Sequence, residues 1–329
     1  YVVGAADNVT TPLPFIWSDI FGKKDLGSLG GASAAYDINN AHQIVGQSDI
    51  AAGGNLINRA FVWDVSNGMR QIATLGGSSN AAFGINDAGN IVGYSITTSG
   101  VAHAFLLSGG TLTDLGTLGG TQSIAHKINH SGQVVGYSTL TTGTLNPPYH
   151  AFVWSPGGQM TDLGALAGNR SIAYDINSLG QIVGMSEIAP GATRAFLHTQ
   201  LTGLVDLNQL AVGSGWTLLE ARGINDKGQI VGFGINPAGF THGFLLLPLI
   251  DDLPGGEPPP CATVTNNPIV LPEPTPLPKS NPKINRQIRL PRVRNQRVTP
   301  VERKVEPDLP AKLKNGDVNI FVGPRARLE

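Results

Sequence analysis

Residues 176–208 read INSLGQIVGMSEIAPGATRAFLHTQLTGLVDLN, and this stretch decides the fold. It holds three short runs rich in Val, Ile, Leu and Phe: QIVG at Gln181, AFLH at Ala195 and GLVD at Gly203. Gly, Pro, Asn and Ser punctuate them, as expected of strands bounded by turns. An Ile-Asn pair opens the stretch, and a turn, Asn177-Ser178-Leu179-Gly180, follows at once. Asn starts such turns by bonding its own backbone, and Gly takes the left-handed position. No segment keeps a 3.6-residue period for three turns, so helices are excluded as the main element.

Moving outward, the same landmarks recur. A β-branched pair followed by Gly ends at Gly4, Gly46, Gly93, Gly136, Gly184 and Gly232, at spacings of 42, 47, 43, 48 and 48 residues. A small residue before Phe recurs at Pro14, Ala60, Ala104, Ala151, Ala195 and Gly243. DLG stands at Asp25, Asp114 and Asp162, and drifts to QIA at Gln71 and DLN at Asp206. The Ile-Asn pair occurs at Ile38, Ile85, Ile128, Ile176 and Ile224. Four strands per ~45 residues is the period of a β-propeller blade. The AF strands are apolar on both faces, with Phe61 and Trp63 opposed to Ala60 and Val62. Such a strand belongs inside a stack of sheets. The expected fold is an all-β, six-bladed-type propeller with five complete four-stranded blades and half of a sixth. A β-solenoid of stacked hairpins is the alternative.

The landmark count also predicts that DLG-type and Ile-Asn-type strands precede Tyr1, which makes the chain a fragment. Otherwise the tail supplies a strand, from LIDDL at Leu249 or DVNIFV at Asp317.

Composition divides the 329 residues. Residues 1–250, the repeat domain, hold 9 basic and 14 acidic residues, a balance of −5; residues 251–329 hold 13 and 9, a balance of +4. Residues 251–282 form a Pro-rich linker, in which fixed φ angles and missing donors favour a semi-rigid stalk. Residues 283–329 form a basic extension with Arg286, Arg289, Arg292, Arg294 and Arg297 close together. These arginines are candidates for holding an anionic partner or for docking on the acidic propeller; a solvated extension is the plainer reading. No aromatic interleaves them, so base stacking is unsupported.

Several classes of function fall away. A single cysteine, Cys261, excludes a disulfide scaffold and cysteine-based metal sites. No apolar run reaches the ~18–20 residues that span a bilayer. No nucleophile elbow, phosphate loop or dinucleotide fingerprint is present, so no cofactor is implied. His126 and His130 have the spacing of a zinc helix, but the Gly132 turn argues against a helix there. Asp87 and Asp226 each offer one carboxylate to a turn, too few for calcium.

The cation before each AF is the most tempting feature: Arg59, His103, His150, Arg194 and His242. A ring of such cations can hold an anionic ligand. The plainer reading pairs each with the Asp of the next strand. Hairpins centred on Ser108-Gly109, Pro156 and Gln200 set His103 opposite Asp114, His150 opposite Asp162 and Arg194 opposite Asp206. Opposite charges across strands are an ordinary way to fix a sheet.

These motifs resemble the HAF repeat family of extracellular bacterial proteins, named for His-Ala-Phe. The resemblance rests on HAF at His103 and His150, RAF at Arg59 and Arg194, HGF at His242, DLGTLGG at Asp114 and GQIVG at Gly180 and Gly228. It covers about residues 1–248. It implies a secreted or cell-surface protein with no established general activity. Pro272-Glu273-Pro274 looks like the start of the family's sorting tail, but no apolar helix follows it.

The expected function is a secreted or cell-surface, non-catalytic module for binding or adhesion, with a polysaccharide or another surface protein as partner. Two alternatives stand beside it. One is a structural subunit that self-associates through the incomplete blade or the C-terminal tail. The other is a glycan-active enzyme with a site at the propeller axis, for which a cluster of carboxylates in an axial pocket is the mark.

Overall fold

The structure is a computed structural model that describes residues 1–8, 11–52, 55–140 and 147–248. The linker, the basic extension with its five arginines, Cys261 and the two candidate closing strands lie outside the described residues. Among the described residues there are 22 strands and a single turn of 3-10 helix at Leu207–Gln209. None of them forms a helix long and apolar enough to cross a membrane.

The strands form six antiparallel sheets in chain order. The fourth sheet is representative: Ser123–Ile128, Val134–Thr139, Tyr149–Trp154 and Met160–Asp162, each paired to the next. The unit therefore begins at the Ile-Asn strand, and the Asn turn is its first hairpin. The landmark total of 22 holds, but the partition differs from five full blades and a half. Four sheets have four strands, while the first and the last have three. The first sheet is Val2–Asn8, Thr11–Ser18 and Gly22–Asp25; the last is Thr217–Ile224, Ile230–Ile235 and Thr241–Leu246.

Each sheet packs face to face on the next, and the apolar core divides accordingly into five clusters. Ala60 joins Ala82, Ile85 and Phe105 between the second and third sheets, while Phe61 joins Ile16 and Leu26 between the first and second. The AF strand is thus buried on both faces, and Ala60 and Phe61 are wholly buried. Fully burying a Phe contributes about 1.5–3 kcal/mol. The same position is filled by Phe105, Phe152 and Phe196, so the core is the repeat's own product. The Gly that ends each IVG run has a local cause. A Cβ at Gly136 would land on the backbone of Ile124 and Ala125 in the neighbouring inner strand.

The sheets converge on an axis rather than stacking in a line. Lys127 of the fourth sheet places its Nζ 2.8 Å from both carboxylate oxygens of Asp37 in the second, with the third sheet between them. Packed sheets lie ~10 Å apart. In a straight stack the second and fourth would stand ~20 Å apart, beyond any lysine's reach. This contact rules out the solenoid, and the fold is a β-propeller. The first strands of sheets two to six, Ser33–Ile38, Gly76–Ile85, Ser123–Ile128, Ser171–Ile176 and Thr217–Ile224, are the inner ones.

Candidate functional site: the propeller axis

Aligned on their Ile-Asn pairs, the five inner strands read AYDIN at Ala35, AFGIN at Ala82, AHKIN at Ala125, AYDIN at Ala173 and ARGIN at Ala221. Ala, Ile and Asn are constant. The two residues between Ala and Ile vary, and the structure explains why. In all five strands the ladder register shifts across the residue after Ala: Tyr36, Phe83, His126, Tyr174 and Arg222. A bulge of this kind leaves one residue unpaired and re-aims its side chain. All five of these side chains gather at the axis.

They form a continuous chain. Ring centroids of Tyr36 and Phe83 are 5.4 Å apart, Phe83 and His126 stack at 5.9 Å, and His126 meets Tyr174 edge-on at 5.6 Å. Arg222 lies over Tyr174 at 3.9 Å. The second strands extend the cluster: Tyr94 against Phe83 at 5.8 Å and Tyr137 against His126 at 5.8 Å. Tyr149 continues it at 5.3 Å from Tyr137, with Arg170 over its ring. Five of the chain's six tyrosines therefore belong to one cluster. All five are partly exposed.

The charges here cancel locally. Arg222 is ion-paired with Glu220, and Arg170 lies 3.8 Å from Glu187. Burial, helped by the Arg222 charge, pulls the His126 imidazole down to about 4, so it is neutral at pH 7. Both its ring nitrogens are buried without a hydrogen-bond partner. Burial also pushes up the Tyr137 hydroxyl, and the neighbouring hydroxyls of Tyr149 and Tyr94 push the same way. The hydroxyls of Tyr94, Tyr137 and Tyr149 donate to no group among the described residues.

The other variable position is Asp37, Gly84, Lys127, Asp175 and Gly223, and it carries charge in three of the five strands. Asp37 accepts from the backbone N–H of Ile85 at 2.9 Å, and Asp175 from that of Ile224 at 2.9 Å, so each carboxylate staples its sheet to the next. Asp175 also accepts from its neighbour Ile176. Burial pushes Asp175 up to about 6, against the opposing pull of Lys127 and the two amides. Burial acts to lower the Lys127 ammonium, but the Asp37 and Asp175 carboxylates outweigh it and hold it above its usual value. Lys127 keeps 30% of its side-chain surface because it faces an open cavity, although protein surrounds it. That cavity, of about 220 Å³, is lined by Asp37, Asn39, Asn86, Asp87, Lys127 and Ser178 among others.

The Asn turns close this end. Each Asn Oδ1 accepts from the backbone N–H four residues on, as in Asn129 from Gln133 at 2.9 Å. In four of the five the Nδ2 also reaches the next turn: Asn39 to the carbonyl of Asn86, Asn86 to Asn129, Asn129 to Asn177 and Asn177 to Asn225, at 3.0–3.1 Å. Asp87 takes both N–H groups of Asn40, and Asp226 takes the N–H and hydroxyl of Ser178. These carboxylates link neighbouring turns. His130 sits on such a turn and His126 in a strand, so the zinc-helix pattern does not form. Among the described residues no group of His, Cys, Asp and Glu is arranged to hold a metal.

The cations before AF are placed elsewhere. They lie on third strands, about 10 Å from the inner strand at the usual strand spacing, and do not ring the axis. His103 Nδ1 lies 2.8 Å from Asp114, and His150 Nδ1 2.9 Å from Asp162. The register is two residues from the one expected: Asp114 stands opposite Phe105, and Asp162 opposite Phe152. The pairs are diagonal, within reach of long side chains. Arg194 and Asp206 are a correction, because they do not pair. Asp206 caps the short helical turn, accepting from the backbone N–H and Nδ2 of Asn208, while Arg194 donates to the Thr193 carbonyl. The capping bonds are local and already hold the carboxylate. Arg59 likewise donates to a carbonyl, that of Ser78.

No family model and no curated protein matches the chain. Among solved structures it is similar to TolB from Acinetobacter baumannii, at 12% identity over 61% of this chain and 49% of that one, TM-score 0.42. It is similar to a puromycin-hydrolysing peptidase of Mycobacterium tuberculosis, at 12% identity over 75% and 43%, TM-score 0.45. It is also similar to the tricorn protease, at 14% over 78% and 27%, TM-score 0.42. The chain spans half or less of each of these. Similarity this low carries no argument about activity.

Proposed function

We propose that this protein is a non-catalytic binding module, secreted or on the cell surface, that holds its partner at the aromatic end of its axis. The observation that carries the reading is the convergence of Tyr36, Tyr94, Tyr137, Tyr149 and Tyr174 in one partly exposed cluster. A tyrosine offers a large apolar face and a hydroxyl at low entropic cost, which suits recognition. The HAF-like motifs support the extracellular part of the reading. The axial carboxylates argue less for catalysis than their position suggests, since Asp37 and Asp175 are engaged by Lys127 and by backbone amides.

An array bearing both glycans and peptides, probed with the intact chain, tests this. The expected result is retention of a probe class without its conversion, weakened at least tenfold in Tyr137→Ala. Hydrolysis of the retained probe sinks the non-catalytic reading, and equal retention by Tyr137→Ala sinks the axial one.

A further inference from the structure

Resting on that reading, we infer that the aromatic end of the axis binds a neutral saccharide, stacking a pyranose on its rings and bonding the sugar's hydroxyls through Tyr94, Tyr137, Tyr149 and Glu187. Four features of the cluster converge on this ligand class.

The first is the floor. Phe83, His126, Tyr137 and Tyr174 present ring surface drawn from three different sheets. The C–H faces of a pyranose are apolar, and burying them against such rings removes that surface from water.

The second is open hydrogen-bonding capacity. Tyr94, Tyr137 and Tyr149 have hydroxyls that make no bond among the described residues, and none of the three is fully buried. Each can both donate and accept, as a sugar hydroxyl does. They lie near one another: the Tyr137 and Tyr149 ring centroids are 5.3 Å apart, and Tyr94 and Tyr137 lie against the stacked rings of Phe83 and His126.

The third is a carboxylate, that of Glu187. Glu187 lies 3.8 Å from Arg170, whose guanidinium sits over the Tyr149 ring, so it borders the same spot. A carboxylate has about four acceptor positions, more than the one arginine beside Glu187 uses. The surplus positions suit the adjacent hydroxyls of a diol.

The fourth is charge. Arg222 and Arg170 are each matched by a glutamate, and His126 is uncharged at pH 7. No net positive charge is left to draw a sulfated or uronic-acid glycan, and desolvating a charge there without a counter-ion is costly. Neutral hexose chains meet no such cost.

The test uses the full chain and three groups of immobilised oligosaccharides: neutral hexose, uronic-acid and sulfated. Neutral chains are expected to be retained over both anionic groups. Their binding should weaken about fivefold in Tyr149→Phe, the effect of one lost hydrogen bond. Tyr137→Ala, which also removes a stacking ring, should weaken it at least ~tenfold. Tyr149→Phe keeps the ring and serves as the variant that folds. Preference for anionic chains, retention of no glycan, or neutral binding indifferent to both substitutions overturns the inference. A peptide retained by the wild type and lost in Tyr137→Ala overturns the saccharide while sparing the binding reading. Equal retention of every probe by Tyr137→Ala ends both.

Discussion

The two ends of the axis are built from the same five inner strands, yet they differ in how fully their polar groups are used. At the turn end, each Asn amide bonds within its own turn and most reach the next, and the carboxylates hold neighbouring sheets. At the aromatic end, three tyrosine hydroxyls and both nitrogens of His126 have no such partners among the described residues. Saturated polar groups stabilise a structure; open ones hold capacity for something else. The difference gives stability to one end and, on the proposed function, recognition to the other, although the distance between them along a strand is only a few residues.

The sharpest way to break this contrast is Lys127→Met. It leaves Asp37 and Asp175 without their cation, and a destabilisation of roughly 3 kcal/mol is expected, read from the urea midpoint. A loss under ~1 kcal/mol, the range of an exposed pair, would mean that the turn end is not the stabilising one. Asn129→Ala comes next. It removes a turn bond and the reach to Asn177, and should cost about 2 kcal/mol.

The pH dependence separates the ends by sign. Asp175 titrates near 6 when folded against a usual 3.8, so its contribution is present at low pH and is lost as the pH rises through 6. His126 titrates near 4 when folded against 6.5, so its contribution is present above pH 6.5 and is lost as the pH falls through 4. Between pH 4 and 6 the two oppose each other. Relative to the wild type, Asp175→Asn should therefore lose stability on going from pH 7 to 4.5, and His126→Phe should gain it. Denaturant melts at the two pH values test this, and equal slopes in all three proteins would contradict it.

The smallest effects are away from the axis. His103→Ala should cost about 0.2–1 kcal/mol, because Asp114 is 40% exposed and the pair is screened. Arg194→Ala, with no carboxylate partner, should change the midpoint less than His103→Ala does. Tyr149→Phe, at the recognition end, should leave the midpoint unchanged while weakening saccharide binding.

Much of this architecture is legible in the chain itself. The strand landmarks, the Asn turns and the doubly buried AF strands follow from local chemistry repeated six times. The pairing of His103 with Asp114 and of His150 with Asp162 is legible too, although the observed register differs by two residues because the first of these turns falls at Gly109-Gly110. The Arg194 expectation failed because Asp206 sits where a cap can form, and Asn208 is closer along the chain than any cross-strand cation. The axial cluster also leaves a signal in the chain. Aligned repeats keep Ala, Ile and Asn but vary the two residues between, and the variable columns are those that face the axis.

The sequence by itself determined what repeats: the strands, their punctuation and the apolar faces that make sheet stack on sheet, since each depends on neighbours within one unit. Only the tertiary structure decided what meets at the centre. Tyr36, Phe83, His126, Tyr174 and Arg222 are 43–48 residues apart in the chain, and no local rule brings them together. A bulge in each inner strand turns them inward, and radial packing then closes distances that chain spacing leaves open.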